Sequence, residues 1–207
     1  MSKRDIGRGT LLSPTPVVMV SCAKENQTPN IITLAWAGTI CSDPPMLSVS
    51  IRPERHSYDI IKDTGEFVVN LVGEELLRAC DWCGVKSGRD VDKFAACGLT
   101  AVPAASLHQA PAIKESPLYL SCRVRQSLPL GSHTMFLADI LSVQAEDSLF
   151  DEAGRLDLQK AGLIAYSHGE YSRLSQVIGF FGYSVARPEV LARRLPGHQN
   201  TSTESKQ

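Results

Sequence analysis

The chain has 207 residues, of which 43% are hydrophobic, and this suffices for one sizeable domain. Its 21 basic and 22 acidic residues leave a formal net charge of −1, so the overall charge favours neither nucleic acid nor an anionic membrane as a partner. The start MSKRDIGRGT is polar, unlike a signal peptide, and no apolar run approaches the roughly 18 residues of a membrane span. We therefore expect a soluble, cytoplasmic protein.

The first half of the chain alternates strand-like stretches with turns. Residues 1–13 are predicted to form a loose N-terminal arm, followed by strands at TPVVMVSCA, IITLAWAG and MLSVSI. The segments KENQTPN and SDPP separate these strands, because proline and turn-forming residues interrupt a sheet. A short helix is then predicted with Ser57 as its N-cap and Gly65 just past its end.

The second half continues the same pattern. EFVVNLV predicts a strand, and GEELLRACDWCG predicts a helix with Leu76, Leu77 and Cys80 on one face. Two long strands joined by LPLGS follow, then a weak helix at PEVLARR and a polar tail, 196–207, predicted to be disordered. Many short strands with few helices predict one mainly β domain, residues 14–195, built as a barrel with helical insertions.

The six cysteines are expected to be reduced and buried, because the chain is long and carries no secretion signal. Cys80 and Cys83 form the motif CDWC, but at the end of a predicted helix instead of its start, where thioredoxin-like chemistry places it. Cys97 and Cys122 do not supply the second close pair of a four-cysteine zinc site. A dithiol redox role for Cys80 and Cys83 stays open as an alternative.

A basic turn precedes the predicted helix. Arg52, Arg55 and His56 stand where helix backbone N–H groups and the helix dipole favour phosphate, although an ordinary solvated turn has the same composition. Trp36 fits either a ligand-stacking or a core position. The motifs GxGxxG, GxxxxGK[ST], HExxH and GxSxG are missing, which disfavours Rossmann, P-loop, zincin and serine hydrolase activities.

Taken in order, several segments carry a family resemblance: PTPVVMVSC, NIITLAW, SDPPMLSVSIRPERHSYDIIKDTGEFVVNL, DVDKFAACGL, ESPLYLSCRV and GSHTMFLADI. This text, over roughly residues 12–170, resembles the flavin reductase-like family, and within it the flavoredoxin-like branch. The resemblance implies a homodimeric split β-barrel that binds FMN, or alternatively FAD, in a groove at the dimer interface. Because the cysteines do not form a metal-ligand set, no metal site is predicted.

Carried over by position, the resemblance implies a set of flavin-binding residues: Asn30, Thr33, Ala35, Trp36, Ser50, Ile51, Arg52, Arg55, Ser57, Tyr58, Lys93, His133 and Tyr166. Arg55, Ser57 and Tyr58 are expected at the ribityl phosphate, with Lys93 as a further positive charge. His133 is expected to approach from the later hairpin, and Tyr166 to close the site.

The function implied is an oxidoreductase that passes electrons from NADH or NADPH to flavin or a downstream acceptor. A flavin itself carries the redox chemistry, which explains why no catalytic dyad or nucleophile is visible in the sequence. The alternative is a flavoredoxin-type electron-transfer protein that a redox partner protein reduces, without a nicotinamide site of its own.

Overall fold

The computed structural model describes residues 1–195, and the predicted tail 196–207 lies outside them. The chain divides into a compact unit Met1–Leu174 and a second unit that begins at Ser175. The strands are β1 Thr15–Pro16, β2 Val18–Cys22, β3 Asn30–Leu34, β4 Ala37–Ser42, β5 Pro45–Ile51, β6 Glu66–Leu71, β7 Ala101–Pro103, β8 Pro111–Ile113, β9 Leu118–Pro129, β10 Thr134–Ala145, β11 Ile164–Ser167 and β12 Glu170–Arg173. The α-helices are α1 His56–Thr64, α2 Leu77–Val85, α3 Lys93–Cys97 and α4 Pro188–Arg194. Short 3₁₀ turns cover Glu74–Leu76, Asp147–Leu149, Leu158–Ala161 and Tyr183–Val185.

A curled antiparallel sheet of seven strands dominates the first unit, in the order β3-β2-β6-β9-β10-β5-β4. The predicted long hairpin is present as β9 and β10, which pair along most of their length. Two smaller sheets, β1-β11-β12 and β7-β8, accompany the large one. The predicted fold class, mainly β with helical insertions in a split barrel, is confirmed.

The apolar run in β2 is explained by burial on both faces of the sheet. Val18 and Val20 pack with Phe67 and α1 on one face, whereas Met19 packs with Ile31, α2 and α3 on the other. Alternate residues of a strand point to opposite faces, so a strand covered on both sides requires continuous apolar sequence. The helices therefore lie on opposite faces of the sheet that they flank.

Two local predictions were wrong in detail. Helix α1 begins at His56 with Arg55 as its N-cap, and Ser57 lies inside the first turn. The Ser57 hydroxyl accepts a hydrogen bond from Asn30 Nδ2 at 2.7 Å, which commits it to β3 instead of the helix end. The predicted strand IITLAWAG breaks after Leu34, and the Trp36 carbonyl in this bend accepts a hydrogen bond from Ser50 N at 2.9 Å.

The end of helix α1 was predicted correctly, since Gly65 closes α1 with a left-handed φ of 68°.

Residues 1–13 contain no strand or helix, and the predicted domain limits 1–13 and 14–195 stay a prediction. Within residues 1–195, no helix is both long enough and apolar enough to cross a membrane.

Candidate functional site

A groove opens where β3 ends, between the start of α1 and the end of α2. It consists of two adjoining cavities that share Ile32, Arg55 and Gly84 in their walls. We call the larger one, about 450 Å³, the wide cavity. We call the smaller one, about 210 Å³, the basic cavity. The volume of the wide cavity is typical of sites for small organic ligands.

Most of the predicted flavin-binding residues meet in the wide cavity. Its walls include eight of them: Thr33, Ala35, Trp36, Ser50, Arg52, Arg55, His133 and Tyr166. They come from the end of β3, the end of β5, the β9–β10 turn and β11, which are far apart in sequence. The sheet order brings them together, because β10 lies next to β5 and its first residue, Thr134, pairs with Ile51.

Trp36 belongs to the wide cavity and not to the core. Its side chain stands in the bend after β3, and the residue is 38% exposed. In a continuous strand Thr33 and Trp36 would point to opposite faces, but β3 ends at Leu34, and both residues line the same cavity. The indole therefore offers an aromatic surface to a ligand in the groove.

Two tyrosines and an acid border the wide cavity, and the sequence predicted only one of the three. Tyr166 and Tyr171 face each other across the β11–β12 hairpin with ring centroids 5.6 Å apart. The Tyr171 hydroxyl donates to Asp81 Oδ1 at 3.0 Å, which links the hairpin to α2. Burial, followed by the neighbouring carboxylate of Asp81, raises the pKa of Tyr171. This phenol therefore stays protonated as a hydrogen-bond donor.

The basic cavity collects cationic side chains around the start of α1. Arg55, His56, Lys86, Arg89 and Lys93 all line it, together with the predicted residues Asn30 and Ser57. The first backbone N–H groups of a helix have no intrahelical acceptor, and the helix dipole adds positive potential there. An anionic group is therefore the ligand that this cavity favours.

The polar loop between α2 and α3 supplies part of this cavity. Arg89 Nη1 donates to the carbonyl of Glu54 at 2.8 Å, which holds the loop against the turn before α1. Gly88 approaches so closely that a Cβ atom there would lie 2.0 Å from Asn30 Oδ1. Sequence reasoning missed Lys86, Gly88 and Arg89, since only the loop's polar composition marks them.

Burial and neighbouring positive charges lower the pKa values of two histidines in the groove. Burial, then the charges of Arg89 and Lys93, lower the pKa of His56. Burial, then Arg52, lower the pKa of His133. Both imidazoles are therefore held in the neutral form near pH 7, and a bound anion would oppose these shifts.

Lys93 is the most buried of the predicted residues with a charge. It is 3% exposed, and its Nζ donates to the carbonyls of Ile31 and Cys83, each at 2.7 Å. Burial lowers the pKa of its amine. The lysine thus ties β3 to the end of α2 at the wall of the basic cavity.

Ile51 and Tyr58 line neither cavity. Ile51 is fully buried in the core, because its strand neighbours Ser50 and Arg52 take the face toward the groove. Tyr58 packs against Phe136 with ring centroids 5.6 Å apart. The structure does not bring these two side chains to the groove.

All six cysteines are free thiols, and they differ in exposure. Cys22, Cys80, Cys83 and Cys122 are buried as expected, whereas Cys41 and Cys97 are only partly buried. Burial raises the pKa of each of the four buried thiols to about 12. In residues 1–195, no group of three or more His, Cys, Asp or Glu side chains is arranged to hold a metal ion.

The groove offers different chemical surfaces to a ligand in its two cavities. Its wide cavity offers Trp36, Tyr166 and apolar side chains to a ring, and its basic cavity offers cations and helix N–H groups to a phosphate. Arg55 stands at the junction of the two. FMN combines these two chemical parts, a planar ring system and a phosphate.

Comparison with known proteins agrees with this geometry. Residues 10–175 match the family model described as flavin reductase like domain. The structure of flavoredoxin from Desulfovibrio vulgaris (Miyazaki F) is 30% identical, with a TM-score of 0.81 over 86% of this chain and 97% of that one. An FMN-binding protein from Thermus thermophilus is 25% identical, with a TM-score of 0.70 over 84% of this chain and 95% of that one.

A curated relative from Rhodococcus opacus is the reductase component of 4-nitrophenol 4-monooxygenase/4-nitrocatechol 2-monooxygenase. It is 26% identical over 128 residues, which are 62% of this chain and 65% of the relative. Since the family model covers most of the chain, from the arm to the end of the first compact unit, the protein belongs to the flavin reductase-like family.

Proposed function

We propose that this protein binds FMN in the groove and acts as an oxidoreductase that transfers electrons from NADH or NADPH to flavin or a downstream acceptor. The observation that carries the proposal is the pairing of a wide, aromatic cavity with a basic one, joined at Arg55. Membership of the flavin reductase-like family supports it. So does the similarity to the Thermus thermophilus FMN-binding protein and the Rhodococcus opacus reductase component.

Within this proposal the side chains bind and orient the cofactor. Trp36 and Tyr166 cover the ring system, while Arg55, Arg89 and the start of α1 hold the phosphate. A bound flavin supplies the hydride and electron chemistry. We assign no catalytic residue, because transfer from a nicotinamide requires close stacking more than proton donors.

The size of the basic cavity favours FMN over FAD. About 210 Å³ accommodates a phosphate group, whereas the adenosine part of FAD would have to extend out of it. The wide cavity is open beside Trp36, which is 38% exposed, so a second planar molecule has access to the ring. We propose that the nicotinamide enters from this side.

We further propose that the active form is a homodimer. Apolar side chains remain exposed on the large sheet, with Ile40 at 46% on the edge strand β4 and Val143 at 53% on β10. Burial of such a surface against a second copy would remove an edge strand from water. Sedimentation equilibrium of the full chain tests this, and a purely monomeric species would contradict it.

The first experiment is an absorbance spectrum of the purified protein, with the released chromophore identified by chromatography. FMN in the protein, or saturable binding of added FMN, supports the site. Oxidation of NADH or NADPH above the free-flavin background supports the reductase activity. A protein that binds no flavin would refute the proposal.

A second candidate function is a flavoredoxin-type electron carrier that a partner protein reduces. The similarity to the Desulfovibrio vulgaris flavoredoxin favours it. Bound FMN that fails to react with NADH and NADPH, but is reduced by a donor protein, would decide for this candidate.

A further inference from the structure

The thiols of Cys83 and Cys97 face each other between α2 and α3. Their Sγ atoms are 3.8 Å apart, and both cysteines are reduced. A disulfide needs an S–S distance of about 2.05 Å, so the two side chains have to approach by roughly 1.8 Å. Each thiol lies on a separate short helix, so their approach does not have to distort one helix that holds both.

Cys80 and Cys83, which form the sequence motif CDWC, are less suited to pairing. Both lie within α2, three residues apart. A regular helix keeps the Cβ atoms of such residues about 5–6 Å apart. A disulfide requires about 3.5–4.5 Å. The structure therefore makes Cys97, and not Cys80, the partner of Cys83.

The Cys83–Cys97 pair encloses the loop that builds the basic cavity. Lys86, Gly88 and Arg89 lie between the two cysteines in sequence and line this cavity, as does Cys83 itself. The Cys83 carbonyl also accepts a hydrogen bond from Lys93 at 2.7 Å. A covalent bond between the cysteines would join the two ends of the segment 84–96.

We propose that Cys83 and Cys97 are a reversible dithiol–disulfide pair that reacts with low-molecular-weight disulfides and, once oxidised, fixes the basic cavity. Cys97 is the more exposed of the two, whereas burial keeps the Cys83 thiol protonated by raising its pKa to about 12. Cys97 therefore meets the reagent first.

The reaction consists of two thiol–disulfide exchanges. The Cys97 thiol gives up its proton, and the resulting thiolate attacks one sulfur of a disulfide RSSR; a Cys97–SR mixed disulfide forms and RS⁻ leaves, which takes up the proton as RSH. The Cys83 thiol passes its proton to the departing RS⁻ as its sulfur attacks the Cys97 sulfur, so the bond between Cys97 and SR breaks and the second RSH is released. The protein loses two hydrogens and gains one S–S bond, and RSSR is reduced to two RSH that carry the two protons.

The effect on flavin binding rests on the proposed function. Closing a loop in its binding conformation removes ordering cost from the association step. Oxidation is therefore expected to lower the dissociation constant of FMN several-fold. Riboflavin, which lacks the phosphate, should bind equally well to both forms.

The test of the disulfide uses the full-length folded protein and oxidised glutathione as the probe. After alkylation of the remaining thiols, peptide mapping by mass spectrometry should find Cys83 joined to Cys97, with reversal by dithiothreitol. The variant Cys97→Ser should lose this cross-link. The control Cys41→Ser should retain it, since Cys41 is also partly exposed but lies on β4. A persistent glutathione adduct on Cys97, or a Cys80–Cys83 bond, would overturn the proposed pair.

Titrations of FMN and riboflavin then test the consequence. The expected result is a change for FMN alone on oxidation, and no change in Cys97→Ser. Equal FMN affinity in both redox forms would overturn the effect on the cavity. If neither form binds FMN, the proposed flavin site fails, whereas the peptide map still judges the cysteine pair by itself.

Discussion

Substitution of Arg55 is the change that best distinguishes binding of a phosphate from binding of the flavin ring. It lines both cavities, whereas Arg52, three residues earlier, lines only the wide one. Within residues 1–195, the Arg55 guanidinium makes a single long hydrogen bond, 3.4 Å from Nη2 to the Gly84 carbonyl, so it is available to a ligand. We predict that Arg55→Ala weakens the binding of FMN but hardly that of riboflavin.

The magnitude follows from the exposure of the side chain. A hydrogen bond to a charged group contributes about 1.5–3 kcal/mol. Arg55 is exposed, and screening by solvent and salt moves the estimate to the lower end. We therefore expect a loss of about 1.4 kcal/mol, or roughly ten-fold in the FMN dissociation constant.

The assay is a fluorescence titration of each flavin at low and high salt. Arg52→Ala is the matched control, because Arg52 is also exposed on the same turn and is paired with Glu54 at 3.5 Å. It should change the affinities for FMN and riboflavin by the same factor. If Arg55→Ala weakens both flavins equally, Arg55 does not contact the phosphate and the basic cavity is not the phosphate site.

Three further predictions test other parts of the groove. Trp36→Ala should weaken the binding of FMN and of riboflavin alike by about 1–3 kcal/mol, the range measured for aromatic side chains stacked on bases. The urea midpoint of unfolding should stay the same, because Trp36 is outside the core clusters. Unequal losses for the two flavins would show that the indole does not contact the ring. Folding lowers the pKa of His56, so the unfolded chain takes up the proton first, and the free energy of unfolding should fall as the pH drops below about 6.5. His56→Gln should reduce this loss of stability in urea titrations. An unchanged loss would show that His56 does not cause it. Gly88→Ala should weaken FMN binding and lower stability because its Cβ would clash with Asn30, whereas Gly38→Ala, whose Cβ meets no atom within 4 Å, should change neither.

The parts of the fold that the sequence predicted are those with a local cause. Gly65 ends α1 because the C-cap adopts a left-handed backbone conformation, which glycine takes most readily. The turn residues of LPLGS predict the hairpin that β9 and β10 form. Ser57 shows the limit of local rules. Its sequence context suits an N-cap, but a hydrogen bond from Asn30, 27 residues away, decides its role.

The missed residues of the site depend on long-range contacts. Tyr171 and Asp81 are 90 residues apart and meet only because the β11–β12 hairpin lies against α2. The thiols of Cys83 and Cys97 meet because a short loop returns α3 to α2. No spacing rule along the chain predicts either contact, since both follow from how the elements pack.

Lys93 shows how a charge can act on the groove from a buried position. The sequence comparison implied a cation at the flavin phosphate, and the structure places that cation in the wall of the basic cavity with two donors used by Ile31 and Cys83. An ammonium group has three donors, and the contacts described for residues 1–195 use two of them. Its charge also reaches neighbouring groups, because it contributes to the lowered pKa of His56. In a site of low dielectric such a charge acts on an anion without direct exposure to solvent. Lys93 therefore combines two roles, joining β3 to α2 and adding positive potential to the basic cavity.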